Sequence, residues 1–354
     1  MSQKRVTIQQ IADACRLSRN TVSKVFNQRG SVPETTRQYV LAKAAELGYF
    51  SRTLPQTPPA SVGTVAVLSC SNPLNHHFGS MLMKSFTDTI CRWGYSVRMY
   101  ELSAAELAER RLPEQLDPDS VAGLLCIELF DRDFLTALSA TGLPMVSVDA
   151  YCDANRSRFP CDIVTMENVS SVMQLTRQLL QAGAERLGFV GDMLHCNSFH
   201  ERWGGFCAAL RDAGLQPEPA LCILARDGSH YADPDWTEAQ LARMPRLPDA
   251  FVCANDYHAV KLMQALKHMG RSIPGDVMVT GFDNSPESAV IEPALTTVHI
   301  PSSEMGVQAA ELLLRRIQSP ERPRVLVYVQ TVPVFRGSSR AGQSAEAAAQ
   351  RPSF

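Results

Sequence analysis

The chain has 354 residues, of which 45% are apolar and 20% charged, and its formal net charge is −2. These proportions are typical of folded globular proteins and exclude a wholly disordered chain. No apolar stretch reaches the roughly 18 residues that a membrane helix needs, and the first residues lack the apolar segment of a signal peptide. We therefore expect a cytoplasmic protein of two or three domains, without a membrane segment.

Neither a metal site nor an enzyme motif stands out in the sequence. Ten cysteines are scattered without any Cys-x-x-Cys pair, which predicts free thiols rather than disulfides. Histidines lie near cysteines at His76, His195 and His200, but their spacings match no standard zinc pattern. No G-x-S-x-G, P-loop or G-x-G-x-x-G motif is present. We expect no metal, no cofactor and no catalytic residues.

Charge is distributed unevenly along the chain. Residues 1–52 contain nine basic and three acidic side chains, a formal charge of +6, and the remainder carries −8. A small basic segment on a larger acidic body suggests that the segment binds a polyanion. A solvated basic face is the alternative that charge alone leaves open.

Residues 7–48 carry the pattern of three short helices. Thr7 fits the start of a capping box, Ser18 is a candidate N-cap, and Pro33 opens the third helix, which ends at Gly48. Two short helices joined by a few residues and braced by a third are typical of a helix-turn-helix. The predicted core residues are Ile8, Ile11, Ala12, Cys15, Val22, Val25, Phe26, Val40, Leu41, Ala44 and Leu47.

The polar face of the second helix carries Arg19, Asn20 and Lys24. Arginine and lysine donate to guanine and asparagine pairs with adenine, so these side chains are candidates for reading base edges in the major groove. The alternative is that Ser18 only caps the helix and Asn20 is only solvated. Short polar side chains can instead bind phosphates. The candidates for that role are Thr7, Ser18, Thr21, Ser23, Asn27 and Thr36.

The stretch VTIQQIADACRLSRNTVSKVFNQRGSVPETTRQYVLAKAAELGY resembles the DNA-binding headpiece of the lactose/galactose repressor (LacI/GalR) family. The match includes the V-T-I-x-x-[IV]-A start, the S-x-x-T-V-S-[RK]-V-x-N recognition helix and the L-G-Y ending. The resemblance implies that Arg19, Asn20 and Lys24 read bases. Arg16 replaces the usual turn glycine, and Lys24 replaces the usual arginine, which predicts looser guanine readout.

Residues 51–61 occupy the place of the family's hinge helix, which folds on DNA and wedges a leucine into the minor groove. Pro55, Pro58 and Pro59 oppose a helix here, since a proline in a helix interior costs roughly 3 kcal/mol. The segment is therefore predicted to be extended and polyproline-like. Leu54 is the remaining candidate for a minor-groove contact.

From residue 62 onward, strand patterns alternate with helix patterns in two series. Such alternation predicts an α/β body of two doubly wound parallel sheets, and hence two lobes like those of periplasmic binding proteins. The predicted strands are Thr64–Ser69, Tyr95–Tyr100, Val121–Ile127 and Pro144–Val148 in the first series, and Arg186–Val190, Asp249–Cys253 and Val277–Gly281 in the second.

The predicted domain boundaries follow from these patterns. The polar, alanine-rich C-terminal residues lack the leucine heptads of a coiled coil and are predicted to be disordered. The boundaries are 1–50 for the headpiece, 51–61 for the linker, 62–338 for the body and 339–354 for the tail, with 62–161 and 299–320 in the first lobe and 162–298 and 321–338 in the second.

Polar residues follow the predicted strands at their carboxyl ends. Ligands in such sheets bind beyond those ends, and carboxylates beside a guanidinium suit a polyol. The alternative is that each residue only caps the next helix. The residues concerned are Ser69, Asp149, Asp192, Asn255, Asp256, Asp283 and Asn284.

The family resemblance continues through the body to residue 338. Arg202–Phe206 fits R-x-x-G-F and Gly281–Asn284 fits G-[FY]-D-[DN], whereas Glu167–Ser171 replaces D-N-x-x-G without its glycine. The resemblance implies that the effector contacts are Ser69, Asp149, Arg202, Asn255 and Asp283. Candidates for stacking on a sugar are Phe78, Trp203, Trp236 and Phe282, each of which could instead belong to the core.

The resemblance implies a homodimeric, sequence-specific transcriptional regulator, most simply a repressor, that binds a pseudo-palindromic DNA operator and responds to a small carbohydrate. Two alternatives stay open within the same class: an activator, or a sensor of a nucleobase or sugar phosphate. A solute-binding protein without DNA function would share the two-lobed body. The basic N-terminal segment argues against that third alternative.

Overall fold

The computed structural model describes residues 8–15, 17–26, 33, 36, 39–40, 43, 62–75, 77–152, 159–226 and 229–340. The chain divides into an N-terminal unit, which ends at Val62 and includes Arg92–Tyr95, and a larger unit that contains the other residues.

The N-terminal unit is built on two short helices, α1 (Ile8–Cys15) and α2 (Arg19–Phe26). The Ser18 side chain accepts a 3.0 Å hydrogen bond from the Thr21 amide and so caps the start of α2. Single residues of the predicted third helix, among them Val40, are helical. One buried cluster joins all three segments: Ile11, Ala12, Cys15, Val22, Val25 and Val40.

The first lobe of the larger unit contains a six-stranded sheet with the strand order β10-β5-β4-β3-β1-β2. β1 pairs with β3, β3 with β4, β4 with β5 and β5 with β10, all in parallel. The strands are β1 (Gly63–Ser69), β2 (Tyr95–Glu101), β3 (Val121–Ile127), β4 (Met145–Val148), β5 (Asp162–Met166) and β10 (Leu326–Val329). The helices are α3 (His77–Arg92), α4 (Ala104–Glu109), α5 (Arg132–Ser139) and α11 (Ser302–Gln318).

The second lobe contains a parallel three-stranded sheet, β6-β7-β8, and an antiparallel pair, β9 with β11. The strands are β6 (Leu187–Val190), β7 (Ala250–Cys253), β8 (Met278–Thr280), β9 (Thr297–His299) and β11 (Val332–Val334). The helices are α6 (Val169–Gln181), α7 (Asn197–Asp212), α8 (Pro234–Arg243), α9 (Asp256–His268) and α10 (Pro286–Val290). Short 3₁₀ turns cover Pro73–Asn75, Pro118–Ser120, Pro219–Leu221 and Ser229–Ala232.

The boundary between the lobes differs from the sequence prediction. Asp162–Met166 was expected to open the second lobe, but as β5 it lies inside the first lobe's sheet, beside β10. Leu326–Val329 was likewise expected in the second lobe. Local sequence patterns do not specify which sheet a segment joins, so both lobe assignments were wrong. The chain therefore crosses between lobes after β5, after β9 and after β10.

The predicted tail also begins later than expected. Ser339 is fully buried and its hydroxyl lies 2.8 Å from that of Thr296, and Arg340 donates to the carbonyl of Gly275. The expectation of disorder from residue 339 is thus wrong for these two residues, and 341–354 lie outside the described part. Among the described residues, none of the helices has the length and apolar character needed to cross a bilayer, and no cluster of potential metal ligands occurs.

Candidate functional site

A cavity of about 780 Å³ lies between the lobes, at the carboxyl ends of their parallel strands. Four of the five predicted effector contacts line it: Asp149, Arg202, Asn255 and Asp283. The fifth, Ser69, does not line it and is 4% exposed at the end of β1, where its carbonyl accepts from the amide of Leu102. The convergence supports a ligand site in the cleft.

Arg202 is the cationic centre of the cavity and is held rigidly. It is 3% exposed, and its guanidinium lies 3.7 Å from the centre of the Phe282 ring. Nε donates to Oδ1 of Asn168 at 2.9 Å, and Nη1 donates to the carbonyl of Ala254 at 2.7 Å. None of the hydrogen bonds among the described residues uses Nη2. Arg202 therefore presents a preorganised donor toward a ligand.

Asp283 faces Arg202 across the cavity wall, with 3.7 Å between Oδ1 and Nη1. Desolvation in the cleft raises the pKa of Asp283, and the negative charges of Asp256 and Glu128 add to the rise, against the opposing effect of Arg202. The side chain keeps 30% of its exposure, so cleft water tempers this effect. A carboxyl that keeps its proton can both donate to and accept from the hydroxyl of a ligand.

Asp256 lies near Asp283 and holds the neighbouring backbone and side chains by hydrogen bonds. Its carboxylate accepts from the Thr297 hydroxyl at 2.5 Å and from the Ser285 amide at 2.8 Å. Desolvation raises the pKa of Asp256, and these two hydrogen bonds oppose the rise. Its neighbour Gly281 carries no Cβ, which leaves room for the carboxylate to approach. Asp256 was among the strand-end candidates, and it too lines the cavity.

Asp149 connects the lobes beside the cavity. It lies at the end of β4, is 7% exposed, and accepts from the amide of Ala150 at 2.8 Å. Desolvation raises its pKa, while hydrogen bonds from Ser198 and Cys196 at the start of α7 partly offset the rise. The amide of Asn197 also donates to the carbonyl of Ala150 at 2.8 Å. Asp149 thus binds the first turn of α7.

Asn255 lies both at the start of α9 and at the cavity. Its side chain accepts a 2.9 Å hydrogen bond from the amide of His258 and caps α9, while the residue also lines the cavity. Capping uses the side-chain oxygen and leaves the amide group to reach a ligand.

The backbone at the cavity carries unusual conformations. Glu128, Asp149 and Asp283 line the cavity and have φ values of 52°, 60° and 122°. The left-handed region is unfavourable for side chains other than glycine, and such strain concentrates at functional sites. Glu128 was not a sequence candidate, because a single glutamate after a strand has no distinguishing pattern.

The aromatic lining differs in part from the candidates. Phe78 lines the cavity, whereas Trp203, Trp236 and Phe282 do not; Trp203 packs edge-on against Phe189 in the second lobe. The rings that do line the cavity are Phe78, Phe130, Phe199, Tyr257, His77, His195 and His258. Phe130 and His195 meet across the cleft with 5.2 Å between ring centres. Ring faces and polar groups therefore share one cavity.

The predicted DNA-binding face is described only in part. Arg19 and Asn20 are exposed in the first turn of α2, and Ser18 is exposed at its cap. Thr21 and Thr36 are half-buried. The positions that lie outside the described residues or side chains are Thr7, Arg16, Ser23, Lys24, Asn27 and Leu54.

Two family models match the chain. The model described as "Bacterial regulatory proteins, lacI family" matches residues 7–51, and "Periplasmic binding protein-like domain" matches residues 176–339. Together they cover the helical N-terminal unit and most of the second lobe.

Similar proteins and structures span nearly the whole chain. The ribose operon repressor of Halalkalibacterium halodurans is 25% identical and covers 96% of this chain and 99% of its own. The transcriptional repressor PurR of Aliivibrio salmonicida is 27% identical, covering 94% and 98%. A regulator solved as a CelR–cellobiose complex is 26% identical with a TM-score of 0.70, covering 95% and 100%. A lac repressor dimer, 23% identical with a TM-score of 0.63 and covering 95% and 99%, shares the fold.

Proposed function

Because the chain belongs to the LacI family of bacterial regulatory proteins, we propose that it is a transcriptional repressor whose operator affinity is controlled by a small carbohydrate in the interlobe cavity. One observation carries the proposal: Arg202, Asp283, Asp149 and Asn255 converge on one cavity in a chain that also carries an exposed Arg19 and Asn20 on a short N-terminal helix. A binding protein for solutes alone has no use for the second feature.

The cavity chemistry supports a polyol. Sugar hydroxyls donate to carboxylates and accept from a guanidinium, and Asp283 and Arg202 supply the two groups 3.7 Å apart. Phe78 and Tyr257 add ring faces for the apolar side of a sugar. The similar regulator CelR was solved in complex with cellobiose, a sugar, which supports the same class of ligand here.

Control of the operator follows from the position of the cavity. A ligand between two lobes that are joined by three crossovers has a different affinity for each lobe arrangement, and so shifts their populations. A coupling of roughly 1–3 kcal/mol changes operator affinity about 5- to 150-fold. A pseudo-palindromic operator requires two headpieces, and hence a homodimer. We propose regulation without catalysis, in the cytoplasm where the operator lies.

The test uses the full chain. DNA selected by repeated binding from random fragments supplies the operator, and thermal-shift screening against neutral sugars supplies the effector. Arg19→Ala with Asn20→Ala should abolish operator discrimination while the sugar-induced shift persists. Asp283→Ala should abolish the shift while operator binding persists. If the first variant discriminates operator from random DNA as well as the wild type does, the base-reading assignment is wrong.

A nucleobase is the second candidate effector, because the PurR sequence is 27% identical over 94% of this chain and several aromatic rings line the cavity. The same screen therefore includes hypoxanthine and guanine beside ribose and cellobiose. A shift with purines and none with sugars would replace the carbohydrate by a base. Activation instead of repression would appear as an operator upstream of the promoter.

A further inference from the structure

A buried carboxylate joins the two lobes outside the cavity. Glu201 lies on α7 of the second lobe and is 2% exposed. Its Oε1 accepts a 2.5 Å hydrogen bond from the hydroxyl of Tyr328, which lies on the edge strand β10 of the first lobe. Its Oε2 accepts from Nδ2 of Asn168 at 2.9 Å. Neither Glu201 nor Tyr328 lines the cavity.

Asn168 links Glu201 to Arg202, which lines the cavity. It is fully buried just after the first crossover, and its Oδ1 accepts from Nε of Arg202 at 2.9 Å. The amide has one orientation only, because arginine can only donate and the Glu201 carboxylate can only accept. Nδ2 also donates to the carbonyl of Met166, at the end of β5. Tyr328, Glu201, Asn168 and Arg202 thus form one continuous chain of hydrogen bonds.

We propose that Tyr328 and Glu201 form an interlobe latch that positions Arg202 through Asn168. Rotation of the lobes is then coupled, through this chain of hydrogen bonds, to the orientation of the Arg202 guanidinium in the cavity. The inference rests on the proposed function, because it assigns the regulation of the same cavity. Tyr328 and Glu201 are positioning residues, since they reach a ligand only through Arg202.

The burial of Glu201, Asn168 and Arg202 makes this connection sensitive to lobe position, although Tyr328 itself is 39% exposed. A rotation that separates β10 from α7 removes a donor from a buried carboxylate, which is unfavourable unless its partners adjust. Asn168 is the adjacent partner and holds Arg202. A ligand that fixes Arg202 therefore stabilises the lobe arrangement in which the Tyr328 hydroxyl reaches Glu201.

A double-mutant cycle tests the latch in the full chain, without ligand or DNA. The variants are Tyr328→Phe, Arg202→Gln and their combination, and urea unfolding is followed by tryptophan fluorescence. We expect the combined change in the unfolding equilibrium constant to depart from the product of the single changes by about twofold or more, although no direct contact joins Tyr328 and Arg202. Multiplicative effects would overturn the proposal.

Tyr231→Phe provides the matched control. The Tyr231 hydroxyl donates to the carbonyls of Ile223 and Ala225, within the second lobe and apart from the latch. Its cycle with Arg202→Gln should be multiplicative. If the Tyr231 cycle departs from the product of the single changes as far as the Tyr328 cycle does, the coupling reflects a general loss of packing, and the latch is refuted.

A second cycle covers the case in which Arg202→Gln does not fold. Arg202→Lys keeps the charge but cannot donate from the position of Nε, and it should couple to Tyr328→Phe in the same direction. Multiplicative behaviour here would also overturn the latch. Because these measurements involve neither effector nor operator, their failure leaves the proposed repressor function intact, and failure of the DNA and sugar tests leaves the latch measurable.

Discussion

Among single residues, several acidic side chains of the cavity have an unfavourable backbone conformation or an unfavourable environment for ionisation. Glu128, Asp149 and Asp283 combine a left-handed backbone with a position in the cleft. The pKa of Asp149 and that of Asp283 are both raised, with desolvation as the main cause. These residues lower the stability of the ligand-free folded protein. Such a loss of stability is common where residues are arranged for binding.

Asp283→Asn should reveal this cost through pH. Asp283 in the unfolded chain releases its proton near the ordinary pKa of about 3.9, whereas the folded protein raises the pKa of this carboxyl to about 8. Between these two pH values the unfolded state binds fewer protons than the folded state, so the stability of the wild type falls as pH rises. The asparagine variant lacks this loss. Its gain in urea midpoint over the wild type should be larger at pH 8 than at pH 5, and an equal difference at both pH values would contradict the assignment.

The residues of the site could be predicted only where a motif surrounds them. Arg202 and Asp283 belong to ordered sequence elements and Asp149 is the polar end of a buried strand, and all three line the cavity. Glu128 and Glu201 were missed because an isolated glutamate has no pattern and acquires its role from the fold. Ser69 satisfied the strand-end rule, but it does not line the cavity.

At the scale of elements, the close approach of α6 and α7 supports the site, because α7 carries Arg202. Gly205 permits this approach, since a Cβ there would lie 2.6 Å from the carbonyl oxygen of Val169. The obstructing atom is backbone and cannot move aside cheaply. The R-x-x-G-F motif is therefore explained by packing as well as by its arginine.

Gly205→Ala should destabilise the larger unit by about 1–3 kcal/mol, the usual cost of overpacking. Gly204→Ala is the matched control in the same helix, because no atom lies within 4 Å of its added Cβ. Alanine favours a helix over glycine by roughly 0.5–1 kcal/mol, so this variant should be stabilised. Urea midpoints of the two variants should move in opposite directions; a shared direction would refute the packing argument.

Element boundaries followed the sequence more closely than element partners did. β3 (Val121–Ile127) was predicted to the residue, and β6 (Leu187–Val190) and β7 (Ala250–Cys253) to within one residue. Asp162–Met166 was not predicted as a strand and was assigned to the second lobe, because its short apolar run is compatible with a place in either lobe. Pairing of β5 with β10 joins segments about 160 residues apart, and no local pattern specifies it.

At the scale of the whole molecule, charge separates the two proposed activities. The first 52 residues carry +6 and the remainder −8. Operator binding should therefore release counterions and weaken steeply with salt, by roughly 10³-fold or more between 50 and 200 mM for 6–10 phosphate contacts. Effector binding in the cleft should change little over the same range. Fluorescence anisotropy with labelled operator and calorimetry with the effector measure how each affinity depends on salt concentration. A similar salt dependence of the two affinities would contradict the assignment of DNA binding to the basic segment and effector binding to the acidic remainder.

The late position of β10 has a consequence for biosynthesis. Residues 326–329 form one edge of the first lobe's sheet, although most of that lobe precedes residue 167. The three parallel strands of the second lobe lie between residues 187 and 280. During translation, the ribosome therefore releases everything needed for this second sheet before the first one has its last strand. The first lobe's sheet is thus begun earlier than the second lobe's parallel sheet and completed later.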